Sequence, residues 1–420
     1  MSMINKMQSN LAINGGPKVR TEPFPARIVL GHEEKAAVDR LFDEAIAGGE
    51  PIGYDGSVEQ AYCDEFAEFM GGGYADAVNS GTTAVYVALR ALELEPFNEV
   101  IVGPITDAGG IMPVPMVNCI PVVPDSAPGR YNTGPEQIEE MISPLTSAIV
   151  VAHIGGEPAD MEGIMRVARR HSLPVIEDCA QAHYTKIGGR LVGTFGDIAT
   201  FSTMFGKHCC TGGQGGMVYT RNESLYINIK QASDRGKPFG LPDGATNVIA
   251  SLNFNLNDLS AAIGREQLKK LPSVVRRRRE IVASLADGLT SVRSVTIPPQ
   301  IPGAEPSYWF LRLEVDTDKL VCDKDTFCEA LIAEGLPMDS SYRHLPHTFG
   351  WFKNRRLFGT SGLPWSSPLY NGDPDRVFDC PNVIAATDVQ FNLSVHEGWG
   401  QQEVADTIAV FRKVEDAYLR

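Results

Sequence analysis

Apolar runs and helical patterns alternate along most of this chain of 420 residues. Residues 99–103, 147–152 and 174–176 are short apolar runs of the length of buried strands. Residues 160–171 have the spacing of an amphipathic helix and lie between the last two runs. Because this alternation continues from about residue 31 to about residue 290, it predicts an α/β fold with a mainly parallel sheet.

Prolines separate the last third of the chain from this pattern. Pro298, Pro299 and Pro302 lie close together, and residues 308–315 and 324–334 beyond them are typical of a strand and a helix. Such a mixture indicates a separate α+β unit. Glycines and prolines also mark the start of the chain as an arm. The predicted division is an N-terminal arm at 1–30, a large domain at 31–295 and a small C-terminal domain at 296–420.

The composition limits the partners and the location of the protein. A net charge of −15 disfavours nucleic acid and anionic membranes as partners. The four consecutive arginines at 276–279 fall in a predicted helix at 272–289, where we expect a solvated face with one buried ion pair. The eight cysteines are scattered without the spacing of metal ligands, so we expect no metal. Reduced thiols, no signal-peptide pattern and no long apolar run together predict a cytoplasmic protein.

Lys207 ends an apolar segment and precedes a glycine-rich turn. Residues 201–207 read FSTMFGK, and residues 211–216 read TGGQGG. A lysine amine that attacks carbonyl groups must lose its proton, so it needs a shielded and partly apolar place. We expect Phe201, Met204 and Phe205 to supply that shielding. The pattern suits a Schiff-base lysine beside a bound phosphate, and the alternative is a solvated surface charge, as for most lysines.

Asp178 lies at the end of a predicted buried strand. Residues 175–183 read VIEDCAQAH. Ligands of open α/β sheets bind at the carboxyl ends of the strands, where this aspartate would lie. A carboxylate there can keep a pyridine nitrogen protonated, which makes the ring an electron sink. The alternative is an aspartate that caps the following helix.

A third pattern indicates an anion site at the start of a helix. Residues 79–83 read NSGTT and precede an apolar helical face, with Asn79 or Ser80 as the cap. Free N–H groups at a helix start, together with a glycine and hydroxyl groups, can bind a phosphate. The alternative is an ordinary capped helix. The phosphate site, the acid and the lysine follow one another along one chain, which chance produces far less often than any one of them.

With these residues the chain resembles the DegT/DnrJ/EryC1/StrS family, the pyridoxal-phosphate (PLP) sugar aminotransferases of the type I aminotransferase fold. The resemblance extends from AINGGP at 12–17 to FNLSVH at 391–396. It includes GGEPADM at 155–161, GGRLVGTFGD at 188–197 and LNFNLNDLSAAIG at 252–264. These motifs are typical of the family and not of one substrate. The resemblance implies a large domain with a mainly parallel sheet, a smaller α+β domain and a homodimer.

The resemblance implies a role for each matching residue. Lys207 would form the Schiff base with PLP and move the proton, and Asp178 would pair with the pyridine nitrogen. Gln181 would meet the side of the ring that carries the hydroxyl group. Asn253 would reach the phosphate of the neighbouring subunit's cofactor, so that two chains share each site. The phosphate of the chain's own cofactor would be held by Gly81, Thr82 and Ser202.

Four residues are predicted to face the substrate. The family usually carries an aromatic residue after a Pro-x-x-Thr stretch, where Asp107 stands here; either the ring lacks its usual cover or Asp107 faces the substrate. Arg235 binds the carboxylate of the amino donor or lies in a surface loop. Tyr342 and His344 line the pocket from the small domain or belong to a structural loop.

Two further departures from the family pattern concern the surroundings of the site. Asn255 replaces the arginine of an Asn-aromatic-Arg stretch, which removes a cation. Gln214 replaces a glutamate in the glycine-rich turn, which also lies one residue further from the lysine than is usual. These changes affect substrate recognition and ring stacking more than the core chemistry.

The resemblance implies transfer of an amino group from glutamate or glutamine to a nucleotide-linked keto sugar or a keto-cyclitol. Two alternatives remain: a PLP-dependent dehydration or aromatisation, as in other members of the family, and a non-catalytic regulatory homologue with a decayed site. Relatives that dehydrate sugars usually carry histidine at the lysine position, so Lys207 favours transamination.

Overall fold

A computed structural model describes residues 7–420, and residues 1–6 of the predicted arm lie outside this description. The strands are β1 (Tyr74–Val78), β2 (Glu99–Val102), β3 (Ile120–Val122), β4 (Thr146–Ala152), β5 (Val175–Asp178), β6 (Lys186–Ile187), β7 (Arg190–Leu191), β8 (Ile198–Ser202), β9 (Gly216–Thr220), β10 (Val295–Thr296), β11 (Ala304–Glu305), β12 (Leu311–Val315), β13 (Met338–Asp339) and β14 (Gln390–Leu393). Beyond Gln8 the α-helices are α1 (His32–Gly48), α2 (Ser57–Phe69), α3 (Gly81–Ala91), α4 (Ala108–Ile111), α5 (Pro113–Met116), α6 (Pro135–Met141), α7 (Met161–His171), α8 (Glu223–Ser233), α9 (Asp258–Leu289), α10 (Lys324–Ala333), α11 (Gly350–Lys353), α12 (Pro381–Val389) and α13 (Gln401–Tyr418). Within residues 7–420, no helix is both long enough and apolar enough to cross a membrane.

A seven-stranded sheet forms the centre of the fold, in the order β1-β9-β8-β5-β4-β2-β3. The strands from β8 to β3 pair in parallel, whereas β9 runs antiparallel to both of its neighbours. All residues of β2 and β5 are buried, as expected for parallel strands with helices on both faces. The mainly parallel sheet, its strands at 99–103, 147–152 and 174–176, and the helix at 160–171 are thus confirmed.

A second, four-stranded antiparallel sheet has the order β10-β12-β14-β13. Its core includes Leu313, Phe391 and Trp399, packed with Phe327 of α10 and Phe411 of α13. This is the α+β unit that the sequence predicts for the last third of the chain, and the predicted α/β fold class is confirmed. The core also takes up an apolar side chain of the arm, which attaches residues before α1 to this unit.

Part of the last third packs elsewhere. Phe352, Phe378 and Val383 belong to the core around the seven-stranded sheet. A small sheet also pairs β11 with β6, which joins the segment after Val295 to the loop that follows β5. The division into 31–295 and 296–420 therefore stays a prediction.

Helix α9 begins earlier than the sequence predicts. The expected start at Pro272 is wrong, because the helix begins at Asp258 and Pro272 lies inside it. Asn257 caps the helix by accepting a hydrogen bond from the N–H of Ser260 (2.8 Å). The helix packs against α1 and α2, and this packing offsets the backbone hydrogen bond that a proline cannot donate. The expected buried ion pair of the arginine run is confirmed at Arg278.

Candidate active site

A cavity of about 280 Å³ lies at the carboxyl ends of the parallel strands, the usual ligand position in open α/β sheets. It is bordered by the ends of β4, β5 and β8 and by the start of α3. Seven of the residues predicted for the site line its wall: Gly81, Thr82, Asp107, Asp178, Gln181, Ser202 and Lys207. Residues that lie more than a hundred positions apart in the sequence therefore meet in one place.

The start of α3 forms one side of this cavity. Ser80 caps the helix by accepting a hydrogen bond from the N–H of Thr83 (3.1 Å). The first N–H groups of a helix have no acceptor within it, so those of Gly81 and Thr82 are available to an anion. A Cβ atom on Gly81 would lie 2.5 Å from the Cβ of Ser202. The glycine therefore allows the helix start and the end of β8 to approach each other.

Asp178 is the last residue of β5 and is buried. Its Oδ1 accepts a hydrogen bond from the N–H of Ala180 (3.0 Å). Burial raises the pKa of this carboxyl group, while the Ala180 N–H and the nearby Lys207 oppose the shift. A cationic ring nitrogen beside Asp178 would stabilise the carboxylate and would itself be kept protonated.

Lys207 reaches the cavity from a turn after β8. Burial lowers the pKa of its amine, whereas the charges of Asp178 and Asp107 oppose that shift. The Nζ atom lies 4.6 Å from the centre of the Trp309 ring. Burial makes the amine lose its proton more readily than a surface lysine does, whereas the aromatic face favours the ammonium form.

The side chains around Lys207 differ in part from those expected. Phe201 is buried and Met204 lines the cavity, but Phe205 is 64% exposed. The expectation that Phe205 shields the amine within this chain is therefore wrong. Its backbone N–H donates to the carbonyl of Gly213 (2.8 Å), which ties the turn to the glycine-rich segment and directs the ring outwards. Trp309, which lies far away in the sequence, takes the place beside the amine.

Asp107 lies at the mouth of the cavity and is exposed. Its Oδ1 caps α4 by accepting a hydrogen bond from the N–H of Gly109 (3.0 Å). A Cβ atom on Gly110 would lie 3.0 Å from Oδ2 of Asp178, and one on Gly109 would lie 2.4 Å from Oγ1 of Thr82. The two glycines therefore keep open a space that side chains would fill.

Gln181 connects the cavity wall to the segment after α10. Its Nε2 donates to the hydroxyl of Tyr342 (2.8 Å), and its Oε1 accepts from the N–H of Gly155 (2.8 Å). Tyr342 packs against His344, with ring centres 4.5 Å apart. His344 is exposed, and its carbonyl accepts from the N–H of Thr106 at the cavity wall (3.1 Å). Tyr342 and His344 thus stand next to the cavity.

Like Tyr342 and His344, two further predicted residues do not line the cavity of their own chain. Asn253 is exposed, and its side-chain oxygen accepts from the backbone and side chain of Asn255 (3.2 and 2.8 Å). Arg235 donates to Asp234 (2.9 Å) and to the hydroxyl of Tyr54 (2.6 Å). Their roles at a cofactor or a donor carboxylate stay predictions.

The sequence analysis missed a buried network behind Asp178. His153 lines the cavity, and its Nε2 lies 3.2 Å from the carboxylate of Glu177. Its Nδ1 accepts from the N–H of Ala159 (3.1 Å), so Nε2 carries the proton and donates to Glu177. Glu177 also accepts three backbone N–H groups, from Gly193, Phe195 and Gly196. Cys179 lies close to both side chains, but these hydrogen bonds already occupy the histidine and carboxylate atoms that a metal would need.

A cavity at the strand ends of a mainly parallel sheet, next to a second α+β unit, is the architecture of an aminotransferase of known structure. The aminotransferase of Psychrobacter cryohalolentis is 27% identical, with a TM-score of 0.77 over 94% of this chain and 98% of that one. A model of the DegT/DnrJ/EryC1/StrS aminotransferase family matches residues 33–372. The chain belongs to this family and is an enzyme, as the sequence predicts.

Relatives within the family act on different acceptors. The L-glutamine:scyllo-inosose aminotransferase of Streptomyces griseus is 30% identical over 98% of both chains. The GDP-perosamine synthase of Caulobacter vibrioides is 33% identical over 77% of this chain and 87% of its own. One name refers to a cyclitol and the other to a nucleotide-linked sugar.

Proposed function

We propose that this protein is a PLP-dependent aminotransferase that moves an amino group from glutamate or glutamine to the ketone of a cyclitol or sugar. The observation that carries this proposal is the meeting of Lys207, Asp178 and the capped start of α3 around one cavity. An amine, a buried acid and an anion site are the three groups that PLP needs. The names of the Streptomyces and Caulobacter relatives support the reaction.

The residues around the cavity fit PLP. The N–H groups at the start of α3 and the hydroxyl groups of Thr82 and Ser202 would hold the phosphate, with Gly81 allowing the close approach. Asp178 would hold the ring nitrogen, and Gln181 would lie on the side of the ring hydroxyl. Lys207 would bind the aldehyde. When bound, PLP supplies an electron sink for the charge that develops when the α-proton of the donor leaves.

Lys207 is the group that would move this proton. An amine whose pKa is lowered by burial is unprotonated more often near neutral pH, so it can accept a proton and return it. Asp178 has the complementary role, because its carboxylate keeps the ring nitrogen charged. Trp309 beside the amine limits the access of water to the place where the proton moves.

The charges that this chain itself contributes to the cavity wall favour a cyclitol over a nucleotide-linked sugar. Within residues 7–420, the wall carries one lysine, no arginine and the two carboxylates of Asp107 and Asp178. A diphosphate is usually held by arginine or lysine side chains. The exposed carboxylate of Asp107 would instead attract an ammonium group, on the acceptor or on the donor. Tyr342 and His344 would complete the acceptor pocket.

We also propose that two chains share each site. Phe205, two residues before Lys207 in sequence, and Leu252, one residue before Asn253, are apolar and 64% and 65% exposed. A second copy that covers them would let Asn253 approach the neighbouring phosphate, and Arg235 the donor carboxylate. All eight cysteines are free, which supports the expectation of a reducing, cytoplasmic location.

The proposal is tested by Lys207→Ala and Asp178→Asn with labelled glutamine or glutamate and a panel of keto-cyclitols and keto sugars. The wild type should transfer the label, and borohydride should attach PLP to the peptide that contains Lys207. Lys207→Ala should keep the fold and lose both results. Asp178→Asn should keep the PLP attachment and lose about 10²-fold or more in turnover. Label transfer by Lys207→Ala would refute the proposed role of the lysine.

A further inference from the structure

We propose that Arg27 is a positioning residue that holds Lys207 in place from the opposite side of its turn. This inference rests on the proposed function, in which Lys207 is the reactive amine. The Nη1 atom of Arg27 donates to the carbonyl oxygens of Gly206 (2.7 Å) and Lys207 (2.8 Å), and Nη2 lies 3.4 Å from that of His208. One guanidinium from the arm therefore contacts three consecutive carbonyls of the turn.

These carbonyls depend on Arg27 because the turn belongs to no helix or strand. In the part of the chain that the structure describes, no backbone N–H donates to the carbonyl of Gly206, Lys207 or His208. A buried carbonyl that lacks a donor is unfavourable. Without Arg27 the turn would have to rearrange or admit water, and either change would move the amine.

Glu397 and Arg278 connect Arg27 to the residues on the other side of the Lys207 amine. The Nε of Arg27 pairs with Oε1 of Glu397 (2.8 Å), and the Nε of Arg278 pairs with Oε2 of the same residue (2.9 Å). Arg278 is 2% exposed and also donates to the carbonyl of Tyr308 (2.8 Å). The next residue is Trp309, whose ring lies beside Nζ of Lys207. Glu397 thus holds the arginine behind the lysine backbone and the arginine behind the ring.

This arrangement joins three parts of the chain that are distant in sequence. Arg27 comes from the arm, Arg278 from α9 and Glu397 from the segment after β14. A carboxylate that bridges two arginines through its two oxygens has a defined geometry, which suits the control of a reactive atom to within a fraction of an ångström. The proposed reaction does not require Arg27 to contact the substrate, so Arg27 would affect the rate of amino transfer only through the position of Lys207.

The arm offers a matched control in Arg20. It pairs with Glu403 (2.9 Å) and Asp406 (2.6 Å) of α13 and donates to the carbonyls of Glu22 and Pro23. Arg20 therefore ties the same arm to the α+β unit through two carboxylates and donates to two carbonyls of the arm itself, without contacting the turn of Lys207. Arg20→Gln should weaken the attachment of the arm and leave the lysine unchanged.

The experiment compares Arg27→Gln, Arg27→Lys and Arg20→Gln with the wild type in two measurements. The first is kcat and KM for amino transfer. The second is the pH dependence of acylation of Lys207 in the protein without PLP, read by peptide mass spectrometry, which reports the pKa of the amine. The charged groups that favour the ammonium form are Asp178 and Asp107, and the neighbouring His183 is buried with a pKa of about 3.

Arg27→Gln should lower kcat by about 10- to 100-fold and change the KM of the acceptor by less than about twofold. The pKa of Lys207 should rise towards that of an ordinary lysine, because burial lowers it in the wild type and the displaced amine gains contact with water. Arg27→Lys keeps the positive charge, but its single nitrogen cannot occupy the positions of Nε, Nη1 and Nη2 at once, so it should retain part of the contacts and both effects should be smaller. Arg20→Gln should show neither.

The proposal would be overturned if Arg27→Gln had the kcat of the wild type and the same pH dependence of Lys207 acylation. It would also be overturned if Arg20→Gln lost as much kcat as Arg27→Gln. If Arg27→Gln does not fold, Arg27→Lys decides, and wild-type values for that variant would overturn it. Failure of the proposed function gives a different result: Lys207→Ala would retain turnover, whatever the Arg27 variants do.

Discussion

The side-chain amide of Gln181 donates to the hydroxyl of Tyr342 over 2.8 Å, although 161 residues separate them. The other end of the amide accepts from Gly155, so both ends of Gln181 are engaged and its orientation is set. Burial raises the pKa of Tyr342 to about 12, which keeps the hydroxyl group neutral near pH 7. The segment after α10 thereby fixes a side chain in the wall of the candidate active site.

We expect Tyr342→Phe to weaken PLP binding about fivefold, since the lost hydrogen bond is worth about 1 kcal/mol and Gln181 would be freed to rotate. Phenylalanine keeps the ring contacts of Tyr342, so packing should change little. Titration of the protein with PLP, followed by absorbance, measures the Kd. Tyr226→Phe is the control, because Tyr226 stacks on Tyr74 away from the cavity. Equal Kd values in the wild type and Tyr342→Phe would argue against the role of Gln181 at the cofactor.

Asp107→Asn should lower the pKa of Lys207 further below that of an ordinary lysine. The carboxylate of Asp107 stabilises the ammonium form, so removing its charge makes the amine lose its proton at lower pH. Asparagine keeps the side-chain oxygen that caps α4. The pH at which Lys207 becomes reactive to acylation should therefore move down.

The same variant tests the acceptor preference. If Asp107 attracts an ammonium group, Asp107→Asn should raise the KM of amino-bearing acceptors about fivefold or more and leave that of neutral cyclitols nearly unchanged. Asp388→Asn is the control, since Asp388 is exposed, pairs with Arg343 (3.5 Å) and does not line the cavity. For the pKa of Lys207, an acylation profile of Asp107→Asn that stays in place or moves to higher pH would contradict the predicted electrostatic role of Asp107.

The buried carboxyl group of Glu59 should make the stability of the protein depend on pH, independently of catalysis. This residue of α2 is 3% exposed, and burial and the charge of Asp76 raise its pKa to about 7 from an ordinary value of 4.5. Between these pH values the folded protein holds a proton that the unfolded chain has released. The contribution of Glu59 to stability is therefore lost as the pH rises from about 4.5 to about 7 and stays lost above it.

Glu59→Gln should remove this loss and stabilise the protein at pH 8 by an amount on the order of 3 kcal/mol. At pH 4.5 or below, the variant and the wild type should differ little. Melting temperatures at the two pH values measure the effect. Glu68→Gln, an exposed change on the same helix, should give no such gain, and a gain of equal size at both pH values would show that the charge of Glu59 is not its cause.

Local patterns carried most of the prediction. The strand ending at Asp178, the cap at Ser80 and the turn at Lys207 are each built from consecutive residues, and the order of strands and helices placed all three at one edge of the sheet. Asp107 stands out in the sequence because it departs from a family pattern. Each of these signals lies within a few residues of the group concerned.

The start of α9 and the surroundings of Lys207 could not be predicted from such local patterns. Pro272 is a local signal for a helix start, but packing against α1 and α2 outweighs it. Phe205 lies two residues before Lys207 in sequence and is exposed, whereas Trp309 is about a hundred residues distant and lies beside the amine.

The sequence alone determined the fold class, the family and the three groups around which the site is proposed, because periodicity, caps and turns act over short stretches of chain. Only the tertiary structure decided that Arg27, Glu397 and Arg278 meet behind Lys207, and that Tyr342 holds Gln181. Contacts of this kind join segments from the arm, the long helix and the α+β unit. Their geometry depends on how whole elements pack, and no short stretch of sequence records that packing.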